Sequence, residues 1–391
     1  MKLEKLDKKT ILFLSWRDIK APKKGGAEVF THEMLKRIDL GRFRIIHISP
    51  SFEGASEDET LDGIRYLRHG GAISVISYAR KFYRENRAEI DYVVDQCNTH
   101  RFFTRFWVEK DKRIFFIHQL TREIWFLNSR FPVNIIGSWT ETPFLRLSRR
   151  DYTMTVSNST KRDLLDIGFN RDRVFVLPEG IEFEHWKPDQ FKEKEKNPTF
   201  IYVGRYVNYK GIDDTVKAFA MIRRENPSAR LWLVGKKNDD YIRERLVPIF
   251  DSERLTCGEP ESNPDVVIWG FVSEGKKLEL MSRAHALVFP SRREGWGLIV
   301  TEAAAVGTPS IAYNSPGIVD AIDNGRTGFM TEENTPEAIA RMMDLVIDDK
   351  EKYDKMREKA YGFSQNFHWK HTAKAFEKFM ESVISGGKAG K

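Results

Sequence analysis

Short runs of β-branched and aromatic residues recur along the chain, separated by stretches whose apolar positions return every three or four residues. In the first half these runs are 11–16, 44–48, 91–95, 113–118, 152–156 and 174–177; in the second they are 199–204, 230–235, 266–270, 286–290 and 310–313. Strands alternating with helical patterns predict a parallel sheet covered by helices in each half, and so an α/β protein of two doubly wound domains. At 391 residues the chain exceeds one ordinary hydrophobic core, which agrees with two. The predicted domains are 1–182 and 199–365. Between them 183–198 ends in Phe191-Lys192-Glu193-Lys194-Glu195-Lys196-Asn197-Pro198, too charged for a core and bounded by prolines, and reads as a linker. Trp369, Ala373, Phe376, Phe379 and Met380 recur with helical spacing, predicting an amphipathic final helix over about 366–386, and the glycine- and lysine-rich tail 385–391 reads as a frayed end.

Composition narrows the class. With 41% hydrophobic and 31% charged residues the chain is expected to be globular rather than disordered. The first ten residues are charged, the apolar run 11–16 is far shorter than a signal peptide requires, and no uncharged stretch approaches the ~20 residues of a spanning helix. A cytoplasmic protein is expected, with any membrane contact peripheral. Cys97 and Cys257 are the only cysteines, too few for a disulfide framework or a four-cysteine zinc site. A net charge of +7 attracts anions, whether nucleotide phosphates, lipid headgroups or nucleic acid.

The most informative stretch is Phe289-Pro290-Ser291-Arg292-Arg293-Glu294-Gly295-Trp296-Gly297-Leu298-Ile299-Val300-Thr301-Glu302. A buried strand stops at Pro290, glycines loosen the turn, and a helix begins near Leu298. The backbone N–H groups of Gly297, Leu298 and Ile299 then point out of the helix's positive end, where a phosphate binds without a metal. Glu294 in the turn can accept from sugar hydroxyls and Glu302 from a ribose diol. The plainer reading makes Glu294 a helix cap and Glu302 a solvated position. Arg205 just after a strand and Lys210 just before a helix can together neutralise a diphosphate; otherwise they are two surface cations. Gly25 and Gly26 open a helix after the first strand, as a diphosphate site or only as a turn. His118 ends the run 113–117 and can hydrogen-bond a hydroxyl, though such a histidine is more often structural.

The acid pair Glu294-x7-Glu302, with Gly204-Arg205 and Lys210-Gly211 in order before it, resembles the retaining family 4 glycosyltransferases of the GT-B fold. The resemblance spans most of both halves. It implies two Rossmann-like domains facing each other across a cleft, with a nucleotide-diphosphate-sugar held mainly by the second. Arg205, Lys210, Glu294 and His118 take the catalytic roles it assigns. Gly25, Gly26, Val272, Gly297, Leu298, Ile299 and Glu302 take the donor-binding ones, Val272 lying beside the nucleotide base. It also implies a final helix that crosses back onto the first domain, no cofactor other than the donor substrate, and a glycan or lipid-linked acceptor. Two positions depart from the pattern: Gln119, where an acid often follows the histidine, and Glu179, where Asn usually stands between Pro178 and Gly180.

No Asp-x-Asp pair at a strand end and no clustered metal ligands occur, so no metal is expected. Trp269 and Phe271 read as core. Aromatic and basic residues mix in 78–84, 101–107 and 144–150, which suits an anionic membrane surface or, failing that, a core with a solvated cationic face. Two other classes remain: a non-catalytic nucleotide-sugar-binding protein on the same scaffold, and a basic nucleic-acid-binding protein, for which no recognition motif is present.

Overall fold

The computed structural model describes residues 2–98, 100–181 and 183–386; of the tail 385–391, where fraying was expected, Ser385 and Gly386 end the final helix and 387–391 lie outside the described residues. The chain divides into two compact units. The first comprises residues up to Arg122, Ile136–Gly180 and those from His368 on; the second comprises Glu123–Ile135 and Ile181–Phe367.

The first unit carries an eight-stranded sheet of β1 (Lys9–Leu14), β2 (Phe43–Ser49), β3 (Asp58–Leu61), β4 (Ile64–Arg68), β5 (Tyr92–Cys97), β6 (Arg113–Ile117), β7 (Tyr152–Thr155) and β8 (Val174–Val176). The spatial order is β3-β4-β2-β1-β5-β6-β7-β8, parallel throughout except β3 against β4. Ile11, Leu12, Phe13 and Leu14 of the central strand are all inaccessible, the signature of a sheet covered on both faces. The β3–β4 hairpin is absent from the sequence expectations. It turns at Asp62-Gly63, both with positive φ (49° and 79°), as a two-residue hairpin loop demands. Its polar run Asp58–Leu61 hid it, and so did Arg68, a buried cation held by Asp18 at 2.6 Å and Glu59 at 2.9 Å.

Against this sheet pack α1 (Gly26–Leu35), α2 (Val133–Arg146, whose first turn belongs to the second unit) and the closing helix α6 (Trp369–Gly386). Trp369, Ala373, Phe376, Phe379 and Met380 are all buried in one cluster with Phe13, Phe30 and Phe116. A Cβ on Gly180 would come within 2.4 Å of the Trp369 ring, so only glycine permits this approach.

The second unit is a seven-stranded, wholly parallel sheet: β9 (Thr199–Val203), β10 (Arg230–Val234), β11 (Cys257–Gly258), β12 (Val266–Gly270), β13 (Ala286–Phe289), β14 (Ser310–Ala312) and β15 (Gly328–Met330). The order is β11-β12-β10-β9-β13-β14-β15, so the winding reverses beside β9, between β10 and β13. In open α/β sheets that reversal opens a crevice at the carboxyl ends of the strands. The helices that matter below are α3 (Ile212–Glu225), α4 (Glu274–Arg283) and α5 (Leu298–Ala305).

Residues 183–198 do not stand free as the charge count suggests. Lys194 sends its ammonium inward to the Ala284 carbonyl (2.6 Å) and Thr308 Oγ1 (2.7 Å), Glu195 pairs with Arg283, and the Phe191 ring occupies the space beside Gly307. Burial pushes the Lys194 pKa well below that of an exposed lysine. Counting charges overlooked their partners, and a charged segment packs when each charge meets one. Glu123–Ile135 likewise clusters with the second unit although it lies within the predicted first domain. There Glu123 accepts from Arg293 Nε at 2.9 Å. Among the described residues no helix is long and apolar enough to cross a membrane.

Candidate functional site

In the second unit the expected residues gather where β9 and β13 end. After β9 the chain passes Arg205, makes a 3-10 turn over Asn208–Lys210 and enters α3 through Gly211, whose φ is +74°. A Cβ there would lie 2.2 Å from the Pro290 carbonyl oxygen, so the turn is pressed directly against the segment following β13. Backbone bonds lock the two: Arg292 N–H donates to the Tyr209 carbonyl at 2.9 Å, and Glu294 N–H to that of Pro316 at 3.0 Å. A Cβ on Gly317 would meet the Glu294 carbonyl oxygen at 2.2 Å, which fixes Glu294 from its other side.

This framework places Lys210 Nζ 2.5 Å from Glu294 Oε1, each side chain only 14% exposed. The ammonium also lies 5.2 Å from the Phe289 ring centroid and 5.3 Å from that of Tyr209, so aromatic faces shield it on two sides. An ammonium has three donors, and the pair with Glu294 uses one of them. Arg205 is exposed and donates from Nη2 to the Tyr209 hydroxyl at 2.6 Å. Tyr209 thus steadies both cations, a part that sequence reading missed. Behind them Arg292 pairs with Asp214 at 2.9 Å and covers the Tyr313 ring at 4.7 Å.

From Glu294 the chain reaches Gly297, which caps α5 with φ +101°, a conformation that favours glycine. No side chain caps this end, so the first-turn N–H groups of the helix, starting at Leu298 and Ile299, point outward beneath partly buried apolar side chains. Glu302 is 8% exposed and accepts from Lys277 Nζ of α4 at 2.7 Å, which removes the reading of Glu302 as a solvated helix position. Lys277 also pairs with Glu274 at 2.8 Å. Burial opposes the Lys277 charge, but the two carboxylates outweigh it and the pKa rises. Nothing in the sequence distinguishes Lys277 from any other lysine on an amphipathic helix.

After β12, Val272 is partly buried while Phe271 is 84% exposed, which corrects the expectation that Phe271 is core. Gly270 takes a φ of +68° at the strand end and turns the next side chain away from the sheet. Trp269 does pack, edge-on to Trp232 at 5.9 Å, with the Lys276 ammonium 5.1 Å from its ring.

The first unit's strand ends are chemically different. His118 follows β6 with its ring edge-on to Phe30 (5.2 Å) and 4.6 Å from Phe116; burial holds its pKa down to about 3, so the imidazole is neutral. Gly25 and Gly26 are exposed, but Gly25 N–H already donates to Glu28 Oε2 at 2.6 Å, and Glu28 in turn pairs with Arg17. The entrance of α1 is therefore served by its own carboxylate. Glu179 is 3% exposed, its Oε2 has no hydrogen-bond partner among the described residues, and burial lifts its pKa well above the carboxylate range. Among the described residues no group of three or more His, Cys, Asp or Glu side chains is placed to hold a metal ion.

Comparison with known proteins fits this geometry. A family model for Glycosyltransferase Family 4 matches residues 24–185, and one for glycosyl transferases group 1 matches 184–363. The capsular polysaccharide biosynthesis glycosyltransferase CapM of Staphylococcus aureus is 30% identical over 208 residues, covering 50% of this chain and 52% of CapM. The chain spans about half the length of the curated relatives it matches. Among solved structures, sucrose-phosphate synthase from Thermosynechococcus elongatus superposes with a TM-score of 0.76 at 16% identity, covering 97% of this chain and all of that one. Anabaena HepE in complex with UDP-glucose gives 0.68 at 16% identity, covering 96% and 99%. Likeness at this identity establishes the fold, GT-B, and no more.

Proposed function

Because the chain belongs to the retaining family 4 glycosyltransferases of the GT-B fold, we propose that it moves a sugar from a nucleotide diphosphate to a hydroxyl acceptor with retention at the anomeric carbon. The observation that carries this reading is the Lys210–Glu294 pair beside the uncapped entrance of α5, at the carboxyl ends of β9 and β13. Arg205, Lys210 and the α5 entrance meet the diphosphate; Glu294 orients the sugar, Glu302 accepts from the ribose diol, and the backbone at Val272 lies beside the base. The exposed Phe271 supplies an apolar surface at the same strand end. The first unit serves the acceptor, with His118 at the end of β6, and Gly25 and Gly26 at the entrance of α1 touch the donor from that side.

In the proposed step the bond from the anomeric carbon to the leaving phosphate oxygen breaks while the acceptor oxygen bonds to the same face. The acceptor proton passes to the departing phosphate oxygen. The protein's part is to position the reactants and stabilise the charge that grows on the diphosphate. Arg205, Lys210 and the helix entrance supply that positive charge, so the reaction needs no metal, and a chelator is expected to leave turnover intact. Loss of turnover restored by added divalent metal would remove that part of the reading.

The acceptor is proposed to be a lipid-linked or cell-envelope glycan precursor met at a cytoplasmic membrane face. The kinship with a capsular polysaccharide glycosyltransferase supports this. The decisive experiment screens UDP-, GDP- and ADP-sugars by thermal shift, since a ligand that binds only the folded state at 100 times its Kd adds about 2.7 kcal/mol of stability. The effective donor should then release its nucleoside diphosphate when acceptor is added. Stabilisation with no release by any envelope acceptor would mark a sugar sensor, and no stabilisation by any donor would overturn the proposal.

A further inference from the structure

The α2 helix carries an apolar stripe on the outside. Ile136 is 57% exposed, Trp139 78% and Phe144 45%, although Leu145 on the opposite side of the helix is buried. At 100° per residue the three exposed side chains fall within an arc of about 140°. This is an amphipathic helix whose apolar side faces solvent.

A second element extends the stripe. The turn 104–106 places Phe106 68% exposed, and Phe103 joins it to the helix: its ring lies 5.6 Å from Phe144 and 6.5 Å from Phe106. The contact is held by Arg105 donating to the Leu147 carbonyl at 2.8 Å and by Arg101 bonding the Phe144 carbonyl and Ser148 Oγ. Phe106 and the end of α2 thus share one surface.

The exposed charged side chains of these two stretches have one sign. Arg105, Arg146, Arg149 and Arg150 are exposed, and residues 101–107 and 136–150 contain a single acid, Glu141. Its carboxylate is turned inward, accepting from the backbone N–H groups of Thr121 and Arg122. Of the three aromatic and basic stretches in the sequence, 78–84 does not contribute, because Phe82 and Tyr83 are core and Tyr78 stacks on His69 at 4.3 Å. Ile136 and Trp139 belong to none of the three.

We propose that this face of the first unit, with Ile136 and Trp139 toward the start of α2 and Phe144, Phe106 and the arginines toward its end, docks on an anionic lipid bilayer. The inference rests on the envelope-acceptor reading and names the surface that serves it. Exposed apolar side chains with a tryptophan enter the headgroup boundary, and the guanidinium groups meet anionic headgroups. Neither contribution alone holds a protein firmly, and the two together do. An acidic protein surface or a second copy of the chain would also meet arginines or apolar side chains. The pairing of a bare apolar stripe with exposed arginines selects lipid over both, because like-charged copies repel and an acidic partner leaves the stripe unfilled.

The test is co-sedimentation of the full chain with vesicles of phosphatidylcholine alone and with about 30% phosphatidylglycerol at moderate salt. Binding is expected only with the anionic vesicles and should weaken as salt rises. The variant Ile136→Ser/Trp139→Ser and the variant Arg146→Ala/Arg149→Ala/Arg150→Ala should each bind at least tenfold more weakly, and each should keep the wild-type thermal shift with nucleotide sugar. That shift reads the donor site without the membrane, so its loss in wild type would sink the functional reading and its retention with no vesicle binding would sink only this one. Equal binding of wild type and the Ile136/Trp139 variant would overturn the proposal. So would a dimer of the wild type, seen by sedimentation velocity, that those two substitutions dissociate.

Discussion

The strand ends of the two units use opposite electrostatics. In the second, cations stand where the chain leaves β9 and one of them faces an acid from the loop after β13; a second acid, Glu302, is held by Lys277. In the first, His118 is neutral, burial raises the Glu179 pKa, the α1 entrance is filled by Glu28, and Asp18 cancels Arg68. One fold, used twice, carries under the proposed reading an anion site in one unit and an acceptor site in the other. The difference lies in a few side chains at loop positions, since the parallel sheets beneath differ little in kind.

The most severe challenge to that contrast is Lys210→Ala. Removing one donor to a charge that grows in the transition state costs about 2.7–4 kcal/mol, so turnover should fall roughly 100-fold or more. His118→Gln, which exchanges one neutral hydrogen-bonding group for another, should leave the donor's thermal shift unchanged and alter turnover less than tenfold. Equal losses in the two variants would erase the distinction between charged and neutral strand ends.

A smaller effect is expected of Glu302→Gln. The amide still reaches a diol but no longer balances Lys277, so the donor KM should rise about tenfold, some 1.4 kcal/mol, with kcat nearly unchanged. A fall in kcat at constant KM would move Glu302 into the chemical step.

The smallest effect concerns Glu179, whose pKa burial raises well above that of an unfolded chain. The folded state keeps this proton at pH values where the unfolded chain has lost it, so its contribution to stability is full below the unfolded carboxylate range and declines as pH rises from there. Glu179→Gln should abolish the decline. Urea melts at pH 5 and 7 should show the variant gaining on wild type with pH, with a slope of no more than about 1.4 kcal/mol per unit. Parallel stabilities would mean that Glu179 ionises freely.

The sequence was legible where local chemistry and fold agree. The apolar runs of β1, β9 and β13 needed only their continuity, and the glycines around α5 needed only their spacing. Glu302 could be singled out but not its partner, because the meeting of α4 and α5 depends on packing that no local pattern encodes. The β3–β4 hairpin failed to show for a related reason: Arg68 reads as surface until Asp18, fifty residues earlier, is known to lie against it. Phe271 failed in the opposite sense, since hydrophobicity predicted burial where Gly270 turns the chain outward. The apolar face of α2 left no plain signal, as an amphipathic helix reads alike whichever side meets water.

The chain's last helix has a consequence for its biogenesis. The sheet formed within the first 180 residues buries Phe13 and Phe30 beneath Trp369 and Phe376, residues that leave the ribosome only after the whole stretch 181–367. Residues 181–367 form nearly all of the other unit in one uninterrupted piece and are free to fold as they emerge. The first sheet is therefore completed only after the second unit has been made, and a chain lacking the helix Trp369–Gly386 keeps an intact second sheet beside a first sheet with one face of its core uncovered.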